Sequence, residues 1–151
     1  ECVSTMTYNE YWQIIDAGLD ADELINFKYE TQGVATLEDG LYVLEENLAD
    51  AAFVDKMARF VRASMKGWEW ARANPDAAAD IVLENDETGA QTEEHQRRMM
   101  AEVNKLTANG GKLSVADYQR TVETLMNGGS DPVISSAPKG AWTHKVWDAA
   151  F

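Results

Sequence analysis

Tyr8, Asn9 and Glu10 form the densest group of chemistry-bearing side chains in the sequence. An aromatic face stacks on a planar ring, and an amide offers both a donor and an acceptor at the edge of that ring. A carboxylate facing adjacent ring N–H and amino groups makes short, charge-assisted hydrogen bonds. The local pattern places the three residues where a β-like run ending near Met6 hands over to a helix. Open α/β sheets bind their ligands at such junctions. The same residues serve equally as helix caps, with Glu10 opposite the positive end of the helix dipole. From residue type and spacing both roles stand, and Tyr8, Asn9 and Glu10 are carried forward as candidate ligand-binding residues.

No comparable group suggests catalysis. His95 and His144 lie far apart in the chain, without a second histidine or cysteine at i+3 or i+4 of either, so no metal site is expected and both rings are placed at the surface. None of Ser4, Ser64, Ser114, Ser130, Ser135 or Ser136 sits in a G-x-S-x-G elbow. Gly110-Gly111 and Gly128-Gly129 follow helical stretches, where they terminate helices rather than cradle phosphate. No catalytic residue and no cofactor is expected. Trp68 is assigned to the core and Trp70 to partial exposure, while Glu45-Glu46 and Glu93-Glu94 read as solvated faces.

Most of the elements that would carry these residues are helices. Tyr8, Tyr11, Trp12, Ile14 and Ile15 recur at helical spacing over residues 8–17, and Gly18 supplies a stop. Asp50 is an N-cap candidate for a long helix carrying Phe53, Met57, Phe60, Val61, Ser64, Met65 and Trp68. Asn74-Pro75 breaks it and begins the next, because proline fits the first helical position. Further helices are predicted from Thr92 to a close at Asn109-Gly110-Gly111, from Ser114 to Gly128-Gly129, and over residues 141–151. Short strands are predicted at residues 2–6, at residues 24–29, where apolar and polar residues alternate, and at residues 41–44. Two or three short strands make only a marginal sheet. The layout therefore predicts part of a larger α/β protein, with further chain upstream of Glu1.

Composition narrows the functional classes. The chain has 151 residues, of which 45% are hydrophobic and 26% charged, a globular balance. Its 13 basic and 26 acidic residues give a net charge of −13, which opposes binding to a phosphate backbone. No nucleic-acid partner is expected. No apolar run reaches the ~18–20 residues that span a bilayer, and the one cysteine allows no intrachain disulfide.

Several stretches together resemble the substrate-binding proteins of ABC importers related to the thiamine-pyrimidine-precursor synthase. They are Met6-Thr7-Tyr8-Asn9-Glu10-Tyr11-Trp12, residues 33–44, Phe60-Val61-Arg62-Ala63, Lys66-Gly67-Trp68-Glu69-Trp70-Ala71 and Asn74-Pro75-Asp76-Ala77-Ala78. The resemblance implies an α/β fold, the C-terminal part of a two-lobed periplasmic-binding-protein architecture, helix-rich with a few short strands. Residues 1–30 would end the second lobe, 31–45 form the hinge crossover and a strand, and 46–151 the helical part of the first lobe. It implies a small planar heterocyclic ligand, similar to a thiamine pyrimidine precursor, met by Tyr8, Asn9 and Glu10. The other implied partner is an ABC permease at the membrane, and the implied location is the periplasm. The enzymatic relative carries a cysteine-rich run where this chain has Gly33-Val34-Ala35-Thr36-Leu37-Glu38. Soft thiolate ligands for iron are absent from those positions, so binding rather than catalysis is expected.

Two alternatives belong to other classes: a pyrimidine-precursor synthase-like enzyme, and an acidic helical module, residues 50–126, that docks a partner protein. The resemblance covers only the C-terminal half of a two-lobed protein, whose missing half would cover strand edges and apolar helix faces. The 151 residues alone are therefore expected to self-associate or to retain an N-terminal partner. A monodisperse monomer in light scattering would contradict that expectation.

Overall fold

Apolar positions at helical spacing, bounded by capping residues, build α1 (Glu10–Asp16), α2 (Ala51–Ala73), α3 (Pro75–Glu84), α4 (Glu93–Leu106), α5 (Val115–Asn127) and α6 (Lys145–Ala150). The computed structural model describes residues 2–151. Short 3₁₀ helices occupy Ala21–Glu23, Glu45–Ala49 and Thr107–Asn109. The starts follow local chemistry. The Asp50 carboxylate accepts from the Ala52 N–H (2.9 Å), the Thr92 hydroxyl from the His95 N–H (3.3 Å) and the Ser114 hydroxyl from the Asp117 N–H (3.2 Å). Pro75 opens α3 as its first residue. The close after α4 needs glycine. Gly111 has φ +72°, and a Cβ there would lie 2.7 Å from the Met65 sulfur.

The α/β assignment is overturned: among the described residues there is no strand and no sheet. The three β-like segments, residues 2–6, 24–29 and 41–44, are irregular chain. Leu24 and Leu44 do hold extended backbone angles, but no neighbouring chain pairs with them to make a ladder. Alternation in residues 24–29 would bury one face of a strand; here Ile25 is 85% and Phe27 72% exposed, and Tyr42 in the last segment is 82% exposed. Without a pairing partner or a covered face, local β propensity gives no strand.

The chain divides into two compact units. The first takes the described residues up to Ile25 together with Ala63–Gly111, and so holds α1, the second half of α2, α3 and α4. Its core is made of small residues: Ala71, Ala78 and Ala79 are buried, and α3 packs on α4. Arg97 on α4 fastens that pair through Asp76 (3.0 Å) and Asp80 (2.9 Å) of α3 and Glu93 of its own helix (2.9 Å). All three carboxylates are solvent-exposed, so these pairs add less than the alanine packing beneath them. Arg72 near the end of α2 donates to the Thr107 carbonyl (2.8 Å). Trp68, expected in the core, is only half-buried, and Trp70 is exposed.

The second unit comprises Asn26–Arg62 and Lys112–Phe151. Val54, Ala58 and Ala150 are its buried apolar residues. Arg62 caps the end of α6 by donating to the Ala150 carbonyl (2.9 Å), and Lys145 reaches the Leu48 carbonyl (2.6 Å). The otherwise irregular segment after Gly33 is tied to α5, where Arg120 donates to the Ala35 carbonyl (2.8 Å) and the Leu37 N–H donates to the Thr121 hydroxyl (2.9 Å).

Ala79, with 0% of its surface exposed, leaves no room for a longer side chain. Ala79→Leu is expected to cost about 1–3 kcal/mol by overpacking, whereas Ala77→Leu on the exposed side of α3 should stay within about 0.5 kcal/mol of wild type. Urea midpoints at unchanged slope test both.

Candidate functional site

Tyr8, Asn9 and Glu10 lie in the first unit at the turn into α1, all three half-buried. The turn is closed by the Met6 carbonyl, which accepts from the Asn9 N–H (3.1 Å) and the Tyr11 N–H (3.3 Å). Asn9 occupies the N-cap position, but its side chain makes no cap bond. Its Oδ1 instead accepts from Gln13 Nε2 (3.2 Å) and pairs with His95 Nε2 (2.9 Å), while its Nδ2 donates to Glu10 Oε1 (3.4 Å). The capping alternative therefore fails for the Asn9 side chain. Glu10 does satisfy backbone, since its Oε2 accepts the Met6 N–H at 2.9 Å.

That Met6 amide, helped by the backbone amide of Glu10 itself and against partial desolvation, holds the Glu10 carboxyl below the usual glutamate range. Glu10 is thus a carboxylate at neutral pH, an acceptor only. Asn9 and Glu10 together set an amide N–H beside a carboxylate on one short segment.

The neighbours were not legible as a group. His95 is 7% exposed, where its sequence context predicts a surface ring. The residue lies on α4, and its Nδ1 is buried with no hydrogen-bond partner, 3.9 Å from Asp16 Oδ2. Asp16 is held by Arg98 (2.9 Å), which also pairs with Glu94 (2.9 Å) and lies 4.8 Å above the Trp12 ring. Trp12 meets Tyr11 edge-on at 5.1 Å, and its indole N–H is buried without a partner. One signal did exist in the sequence: Asn9, Trp12 and Asp16 fall at i, i+3 and i+7, one helical face.

His144, in the second unit, is half-buried and pairs with the Leu113 carbonyl through Nε2 (2.8 Å). Among the described residues no three histidine, cysteine or acidic side chains converge as metal ligands, and no helix is long and apolar enough to cross a membrane. An open groove of about 580 Å³ on the first unit is lined by Ile81, Val82, Asn85, Gln91, Gln96 and Met99. It does not include Tyr8, Asn9 or Glu10.

Residues 3–78 match the family described as NMT1/THI5 like. The chain belongs to that family. Its members include binding proteins and synthases, so membership brings small-molecule binding with it and leaves turnover open. Tyr8, Asn9 and Glu10 lie inside the matched stretch, and His95 lies outside it. Neither a curated protein nor a solved structure matches the chain.

Because its folded-state pKa is lowered, Glu10 contributes stability that is complete above about pH 4.3, the unfolded value, and is lost as pH falls through the lowered one. Thermal midpoints of wild type should therefore fall more steeply below about pH 4.3 than those of Glu10→Gln. The margin is small, because water screens this carboxylate. Parallel curves would remove the Met6–Glu10 bond as a source of stability.

Proposed function

We propose that the chain acts as the solute-binding component of an ABC importer in the periplasm. It captures a small planar heterocycle of the thiamine-pyrimidine-precursor kind and delivers it to the membrane permease. The observation that carries this reading is the pairing, within the family-matched stretch, of an amide N–H on Asn9 with an ionised carboxylate on Glu10. Such an edge is complementary to a ligand that presents an acceptor beside a donor, as a ring nitrogen next to an exocyclic amino group does. Tyr8 supplies the adjacent aromatic face for stacking. The carboxylate contributes most to selectivity, because an analogue lacking the amino group offers it no donor in place of the water it gives up on binding.

Aminopyrimidines and flavins added to the protein separate this reading from others. A true ligand raises the thermal midpoint with concentration, following RT ln(1 + [L]/Kd). Glu10→Gln is expected to weaken binding of an aminopyrimidine by about ten- to a hundredfold. Unchanged affinity would return Glu10 to a capping role. Stabilisation by an unrelated ligand class alone would refute the substrate assignment, and iron-dependent turnover would move the protein to the synthase side of its family.

A further inference from the structure

We infer that His95 is the positioning residue of the Asn9 side chain, and that it fixes which half of the carboxamide a ligand meets. The inference deepens the reading above and rests on Asn9 meeting ligand. It follows from what each partner can and cannot do. The Glu10 carboxylate only accepts hydrogen bonds, so the Asn9 atom 3.4 Å from Oε1 is the amide nitrogen. The carbonyl oxygen then faces His95 and Gln13, and both of its lone pairs are taken, at 2.9 Å and 3.2 Å. A carbonyl cannot donate, so His95 Nε2 must carry the hydrogen whether the ring is neutral or charged.

Burial makes that assignment restrictive. With 7% of its surface exposed, His95 has no water at hand to replace Asn9 as an acceptor, and its Nδ1 already lacks a partner. Asp16 stands too far from Nδ1 for a hydrogen bond, at 3.9 Å, and its carboxylate is drawn to Arg98. Moving the ring's proton to Nδ1 would set a bare nitrogen against the Asn9 carbonyl, turning the ring over would set a C–H there in place of the N–H, and turning the amide over would set that carbonyl against Glu10. The first and the last replace a bond by a repulsion between acceptors, and the second forfeits the bond. The Asn9 oxygen is thereby spent inward, and the second amide N–H is the group left for a ligand. At this position the site reads acceptors and rejects donors, the opposite polarity to that of Glu10.

Nitrogen NMR of the ligand-free chain tests the assignment directly. The expected imidazole pattern for His95 is a protonated Nε2; a ring carrying its single proton on Nδ1 overturns the inference. In His95→Phe the Asn9 side-chain amide resonances should shift, and exchange between its two N–H protons should speed up. His95→Gln, whose amide nitrogen can stand where Nε2 does, should restore the wild-type pattern. Unchanged Asn9 signals in a folded His95→Phe chain overturn the inference as well, and should that variant not fold, the wild-type tautomer decides. With an aminopyrimidine as probe, affinity should fall about tenfold in His95→Phe and within about threefold of wild type in His95→Gln. Loss of affinity in both folded variants to the same extent would reduce His95 to a packing role. A wild-type chain that shows the Nε2 proton yet binds no heterocycle would instead sink the functional reading and leave the positioning role intact.

Discussion

The seven residues of α1 are too few to hold a helix by themselves, since isolated helices below ~12–15 residues are marginal in water. What fixes them is a match of spacing between two helices. Asn9, Trp12 and Asp16 lie on one face of α1, and His95 and Arg98, one turn apart on α4, meet that face. The contacts differ in weight. Arg98 to Asp16 is partly solvated, and surface pairs of that kind add little. His95 to Asn9 is better shielded, and removing Asn9 strands the buried ring nitrogen of His95 away from water, which costs more than the bond itself contributes. The candidate ligand edge thus depends on a helix outside its own segment.

Helices were legible because their signals are local. Asp50, Thr92 and Ser114 have hydroxyl or carboxylate oxygens within reach of the next turn, Pro75 fits only a first position, and Gly111 takes a backbone angle that other residues resist. A strand has no such self-sufficiency. The alternation in residues 24–29 states which residues would share a face, and says nothing of whether a second strand exists to accept their hydrogen bonds. Here none pairs with them, and the sheet inferred from pattern is absent among the described residues. The long helix also shows the limit of periodicity: Phe60 belongs to the apolar set of α2 and is nevertheless exposed.

At the site, residue type identified Asn9 and Glu10 as groups with chemistry to offer but could not separate capping from binding. The separation needs coordinates, because it turns on which atom of the carboxamide points where. Asn9 spends its oxygen on side chains instead of on the helix, and Glu10 spends only one oxygen on backbone. His95 was misplaced at the surface for a related reason. Flanked by Glu93, Glu94, Gln96, Arg97 and Arg98, it sits in the most polar stretch of α4, where hydropathy predicts exposure. The first turn of α4 instead buries His95 and Gln96 side by side. Burial of a polar ring is tolerable when a partner meets it, and that partner lies 86 positions earlier, invisible to any local window.

The division between residues that match the family and those that do not now acquires a physical content. The stretch 3–78 contains the amide and the carboxylate, whose chemistry is generic: an amide in that place could show a ligand either its oxygen or its nitrogen. The polarity is set by two acceptor-or-donor constraints, one from Glu10 inside the match and one from His95 outside it. Glu10 alone would bias the amide through a long bond of 3.4 Å, which is weak; His95 at 2.9 Å supplies the shorter and better shielded half of the constraint. If Asn9 meets a ligand as proposed, changing residue 95 while leaving 8–10 untouched would therefore alter which ligand edge fits, and part of that recognition would be specified in α4, outside the stretch that matches the family.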